Sequence, residues 1–182
     1  MSCKNSEMKM IELHENGLDI QFRIRENGVV ELADFSSQEV KKAVMEPKED
    51  ICYPAVEIHR SGTGSLNMHA YKNNINQSSV DFVYENHELK EQDGGKELEI
   101  VMISPEKLKA VYHMRLFDGV PAVQTWTEII NEGSEDQGLT YVSSFMYQGI
   151  SRGGEKPYYK KTDIYVPFNS WCCEAQWQKY DA

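Results

Sequence analysis

Between Leu18 and Arg25 the chain alternates without a break: Leu18, Ile20, Phe22 and Ile24 against Asp19, Gln21, Arg23 and Arg25. Successive side chains of an extended strand point to opposite sides, so this period of two marks a strand with one buried face. Asn16-Gly17 and Asn27-Gly28 bracket the run, and both dipeptides tolerate the positive φ of a tight hairpin. The same pattern returns in Leu108, Ala110, Tyr112, Met114 and Leu116, with Lys109, His113 and Arg115 on the other face. Asp118-Gly119 then turns the chain, and Ala122 to Ile130 is expected to run back antiparallel. Ser79 to Leu89 and Lys96 to Ser104 flank Gln92-Asp93-Gly94-Gly95, a further hairpin signal. After the polar loop from Glu132 to Gly138, Leu139 to Gln148 reads as another strand.

Helix signals are scarce. Ser37 to Val44 has the composition of two helical turns, with Ser36 or Ser37 as cap and Pro47 as stop. Ser151 to Pro157 reads as a long loop between the last strands. Many strands, frequent turns and no long helix imply an all-β fold, a large antiparallel β-sandwich. At 182 residues and 40% hydrophobic content, one domain spanning residues 1–182 has enough apolar mass for a full core.

Charge and cysteine usage narrow the partners. A net charge of −10 opposes nucleic acid, whose phosphates demand clustered Lys and Arg, and opposes anionic membranes. No apolar run approaches the ~18 residues of a spanning helix. Met1 to Glu7 lacks the apolar stretch of a secretory leader, so a cytoplasmic protein is expected. Cys3 and Cys52 stand alone and Cys172 and Cys173 are adjacent, which suits reduced thiols rather than a disulfide framework. The histidines are scattered singly, without the short spacings that present metal ligands together, so no metal site is expected. His59 and His69 would meet only across strands.

Local catalytic motifs are equally thin. Gly153-Gly154-Glu155-Lys156 lacks the spacing and following helix of a phosphate loop. No nucleophile elbow surrounds any serine, and Cys172 has no base nearby in sequence. Glu31 with Asp34, Glu97 with Glu99, and Glu135 with Asp136 sit in polar surroundings and read as solvated charge.

The densest chemistry lies at Asn169-Ser170-Trp171-Cys172-Cys173-Glu174-Ala175-Gln176-Trp177, after the strand-like Thr162 to Pro167. Aromatic faces beside amides and a carboxylate suit a pyranose, which has apolar C–H faces and a polar rim. This segment resembles the end of the N-terminal domain of glycoside hydrolase family 36, the α-galactosidases of the melibiose and raffinose type. Leu116 to Val123 with Trp126-Thr127-Glu128, then Leu139 to Phe145, resemble further blocks of that domain in the family's order. Tyr53 to Ile58 adds a looser match, so the resemblance covers roughly residues 28 to 182.

The resemblance implies a β-supersandwich that precedes a catalytic (β/α)8 barrel carrying two aspartates and working without metal or organic cofactor. Retaining hydrolysis needs two carboxyl groups about 5–5.5 Å apart, and a barrel needs about 250 residues. The 182 residues here do not supply them, so the chain alone is expected to be inactive. The resemblance makes Trp171 a wall of the sugar pocket, with Asn169 and Glu174 orienting its loop and Trp177 nearby. The plainer alternative is that both tryptophans only pack the sandwich against the barrel. Asp50 falls in a loop that, in tetrameric relatives, reaches a neighbouring subunit's site, which implies a homo-oligomer for the intact protein. Relatives carry an Asp-Phe-Arg type sequence there, whereas this chain has Asp50-Ile51-Cys52, and Cys173 replaces a small residue. The expected partners are α-galactoside oligosaccharides and the barrel. A stand-alone carbohydrate-binding sandwich is the alternative, and a purely structural module is a third.

Overall fold

A computed structural model describes residues 9–37, 53–63, 77–147 and 163–181. They divide between two compact units, the smaller of which holds 163–181. The fold is an all-β antiparallel sandwich.

In the larger unit, β1 (Lys9–Glu15), β2 (Leu18–Ile24) and β3 (Val30–Ser37) form a sheet in that order. Asn16 and Gly17 both take positive φ, 52° and 82°, the geometry of a two-residue hairpin turn between twisted strands. A second short sheet pairs β4 (Ile58–Arg60) with the later β9 (Leu139–Val142). Between them come a single turn of helix, α1 (Gln77–Val80), and a four-stranded antiparallel meander. Its strands are β5 (Val83–Gln92), β6 (Gly95–Ile103), β7 (Leu108–Phe117) and β8 (Val120–Asn131). Pro121, which cannot donate to a ladder, sits in the outermost strand of this sheet.

The core lies between the three-stranded and four-stranded sheets. Leu18, Ile20 and Phe22 from β2 join Leu98, Ile100 and Met102 from β6 and Leu108, Ala110, Tyr112, Met114 and Leu116 from β7 in one apolar cluster. Phe22 meets Tyr112 edge to face, with ring centroids 5.7 Å apart. One end is stapled by Asn16, whose Nδ2 donates to the Phe117 carbonyl (2.8 Å) while its Oδ1 accepts from Gly119 N–H (3.0 Å). The side chain of one hairpin turn thus holds the next sheet's turn in place.

Three elements depart from the sequence expectations. Ser79 opens no strand, because α1 lies there instead. Ser79 Oγ accepts from Ile58 N–H (2.9 Å) and donates to the Ile58 carbonyl (3.1 Å), and Ser78 Oγ accepts from Arg60 N–H (3.1 Å). Those hydroxyls do for β4 what a neighbouring strand would have done. The strand expected from Leu139 to Gln148 ends at Val142. Beyond it, Ser143 exchanges hydrogen bonds with Glu57, through Ser143 N–H to the Glu57 carbonyl and Glu57 N–H to Ser143 Oγ. Ser37, expected to open a helix, closes β3; the rest of that helix, the loop at 151–157, Cys3, Cys52, His69 and Asp50 lie outside the described residues. No helix among the described residues is long and apolar enough to cross a membrane.

The smaller unit is a hairpin of β10 (Asp163–Ser170) and β11 (Cys173–Asp181). Ile164 pairs with Tyr180, Val166 with Gln178 and Phe168 with Gln176 on one face; Tyr165 pairs with Lys179 and Pro167 with Trp177 on the other.

Candidate functional site

The sequence motif at 169–177 becomes the tip of a β-hairpin: the end of β10, the turn and the first half of β11. Asn169 ends the regular part of β10, where a bulge shifts the register between Phe168 and Ser170. Its Oδ1 accepts from Ala175 N–H (2.7 Å), clamping the two strands across the tip. Cys172 and Ala175 take positive φ, 61° and 50°, which is uncommon for residues with a Cβ. Trp171 crowns the turn and is 97% exposed, while Trp177 is 65% exposed in β11. Glu174 follows the turn on β11 and is exposed, and Cys172 and Cys173 are free thiols. Ile164, Tyr165, Phe168 and Tyr180 are exposed as well. Of the residues singled out from sequence, Asn169, Trp171, Glu174 and Trp177 therefore share one hairpin.

The other resemblance blocks occupy joints of the larger unit. Leu116 to Val123 is the β7–β8 turn, and the Tyr53 to Ile58 and Leu139 to Phe145 blocks meet through the Glu57–Ser143 exchange. Ala55 N–H also donates to the Val30 carbonyl (2.7 Å). Trp126 has a different setting. It lies directly opposite His113 across the β7–β8 ladder, and the two rings stack, with centroids 4.6 Å apart and planes 5° from parallel.

That stack belongs to a second cluster, on the face of the four-stranded sheet turned away from the core. Glu99 pairs with His113 across β6–β7, so Glu97, Glu99, His113, Trp126 and Glu128 all project from this one face. His113 is buried, and its Nδ1 lies 2.9 Å from Glu97 Oε1 and 3.8 Å from Glu99 Oε1. Its Nε2 lies 3.8 Å from Glu128 Oε2 and has no hydrogen-bond partner. Lys90 Nζ holds the other oxygen of Glu99 at 2.5 Å. The hydrogen bond to Glu99 is the main reason that the Lys90 ammonium lies above the ordinary lysine range. One donor atom each from Glu97, Glu99 and His113 falls within 4.8 Å of the others, a spacing able to accept a metal ion.

Two of the carboxylate pairs read as solvated charge are not so. Glu31 is buried among Arg25 (3.1 Å), Arg23 (3.7 Å) and the Tyr53 N–H (2.9 Å), and Asp34 is buried beside Ser36 Oγ (2.8 Å). Glu97 and Glu99 are half-buried around His113. Glu135 and Asp136 alone among the three pairs are exposed. The histidine spacing rule misses the second cluster because its members come from three strands. Asp118-Gly119 was the turn signal that bore on it, since it sets the β7–β8 register that brings His113 and Trp126 abreast; the turn at 104–107 that aligns Glu99 with His113 was not read from the sequence.

No protein-family model matches the chain, and no curated protein matches it at a significant level.

Proposed function

We propose that the chain is the non-catalytic N-terminal sandwich of an α-galactosidase-like retaining glycoside hydrolase, and that its β10–β11 hairpin lends Trp171 to the sugar pocket. The observation that carries this reading is the 97% exposure of Trp171 on a turn clamped by Asn169. An indole presented on a braced turn offers its face to the C–H surface of a pyranose at little conformational cost. The order of the motifs around it supports the family.

In this reading the bond cleavage belongs to a (β/α)8 barrel, whose paired aspartates release terminal α-galactose by double displacement without metal or organic cofactor. The sandwich supports that barrel, closes one wall of the pocket and builds subunit contacts, and the hairpin's exposed aromatics are the surface available to the barrel. Asn169 holds the tip, and Glu174 beside it offers a hydroxyl acceptor. A cytoplasmic setting goes with this reading. The 65% exposure of Trp177 favours a second reading, a carbohydrate-binding sandwich acting in its own right.

The test uses the product of the complete reading frame and this chain side by side, with melibiose and raffinose. Hydrolysis by the longer product, with KM raised about tenfold or more by Trp171→Ala, matches the loss of one stacking contact. Fluorescence quenching of the short chain by the sugars, lost in Trp177→Ala, would select the second reading. Neither hydrolysis nor binding would leave a purely structural module.

A further inference from the structure

We infer that Glu97, Glu99 and His113 form a binding site for a divalent transition-metal cation of the zinc type, independent of the hairpin and of the reading built on it. A mixed set of one imidazole nitrogen and two carboxylate oxygens suits such a cation better than calcium or magnesium, which prefer all-oxygen shells.

The geometry is close to what a bound ion requires. Ligand bonds of about 2.0–2.2 Å in a tetrahedral arrangement put neighbouring ligand atoms roughly 3–3.6 Å apart. The Nδ1 of His113 stands 2.9 Å from one glutamate oxygen and 3.8 Å from the other, so small rotations of the glutamates suffice. The ring itself is already held, buried and stacked flat on Trp126. Lys90 occupies only Oε2 of Glu99 and leaves Oε1 on the His113 side. Three protein ligands leave a further position for water or a ligand.

The buried Nε2 is the independent observation. Nδ1 of His113 faces Glu97 at 2.9 Å, whereas the buried Nε2, 3.8 Å from Glu128 Oε2, has no hydrogen-bond partner. With an ion on Nδ1 the proton sits on Nε2 and faces Glu128, 3.8 Å away. A carboxylate behind the far nitrogen of a ligating histidine is the usual way such a ring is oriented and its basicity raised. Trp126 is then a built-in reporter beside the ion.

The experiment is a titration of untagged, chelator-stripped protein with Co2+, read by visible d–d absorption and by tryptophan fluorescence, followed by Zn2+ displacement. One equivalent should bind, quench fluorescence and leave when Zn2+ is added. Glu97→Gln and Glu99→Gln should each weaken binding about tenfold or more, since loss of even an outer-shell partner of a ligand costs that much, and Glu135→Gln should not. In the wild-type protein, imidazole 15N shifts should place Zn2+ on Nδ1 of His113, a readout that needs no variant to fold. Absence of stoichiometric Co2+ binding up to millimolar concentration would overturn the assignment. So would undiminished binding in the Glu97→Gln, Glu99→Gln double variant, or a Zn2+-bound spectrum in which His113 is unchanged.

Discussion

At the scale of single residues, two glycines at hairpin turns carry unequal burdens. Gly17 has a φ of +82° and open space around the position of a Cβ, so Gly17→Ala meets only the backbone preference against that region. That costs about 1 kcal/mol. A Cβ at Gly95 would lie 1.9 Å from the Leu116 carbonyl oxygen, backbone that cannot swing aside. Gly95→Ala must therefore push β6 from β7, and about 2–4 kcal/mol of destabilisation is expected. Urea unfolding of the two variants checks the difference, and equal midpoints would contradict it. Asn16-Gly17 was legible as a turn because its φ preference is local. The burial of Glu31 was not, because the groups that make a buried carboxylate tolerable, Arg23, Arg25 and the Tyr53 N–H, gather only in the fold.

At the scale of elements, β10–β11 depends on its tip. An isolated two-stranded hairpin is marginal in water, and this one places Cys172 and Ala175 at positive φ. The Asn169–Ala175 hydrogen bond offsets that strain. Asn169→Ala should cost about 1 kcal/mol locally and collapse amide-exchange protection at Ala175, while leaving β6 and β7 protected. Unchanged protection at Ala175 would show that the turn holds itself. Trp171 and Trp177 of this candidate site were readable from the motif because they fall within one short segment, whereas Tyr165, Phe168 and Tyr180 join them only through the pairing of β10 with β11. The Glu97–Glu99–His113 cluster was not, because its donors come from β6 and β7 and are neighbours only across a ladder. β9 stopped short for a related reason: Glu57 and Ser143 satisfy each other's backbone from distant parts of the chain.

At the scale of the larger unit, Phe22 and Tyr112 join its two main sheets through the core. Burial pushes the Tyr112 phenol far above its ordinary value, with the Thr125 hydrogen bond acting in the opposite direction. The folded chain keeps the phenol neutral, while the unfolded chain ionises above about pH 10. Stability from this group is thus complete below about pH 10 and falls as pH climbs toward the folded pKa. Tyr112→Phe should flatten that alkaline slope, which approaches about 1.4 kcal/mol per pH unit for one group. Urea unfolding at several pH values from 9 to 11 measures it; parallel slopes in both proteins would refute the assignment. What the sequence by itself determined was the succession of strands and turns, because side-chain alternation and turn dihedrals are properties of a few consecutive residues. What only tertiary structure decided was which charges are buried, where serine hydroxyls replace a strand, and that a histidine lies among carboxylates. Those depend on ladder register and sheet packing, which join residues that no local pattern connects.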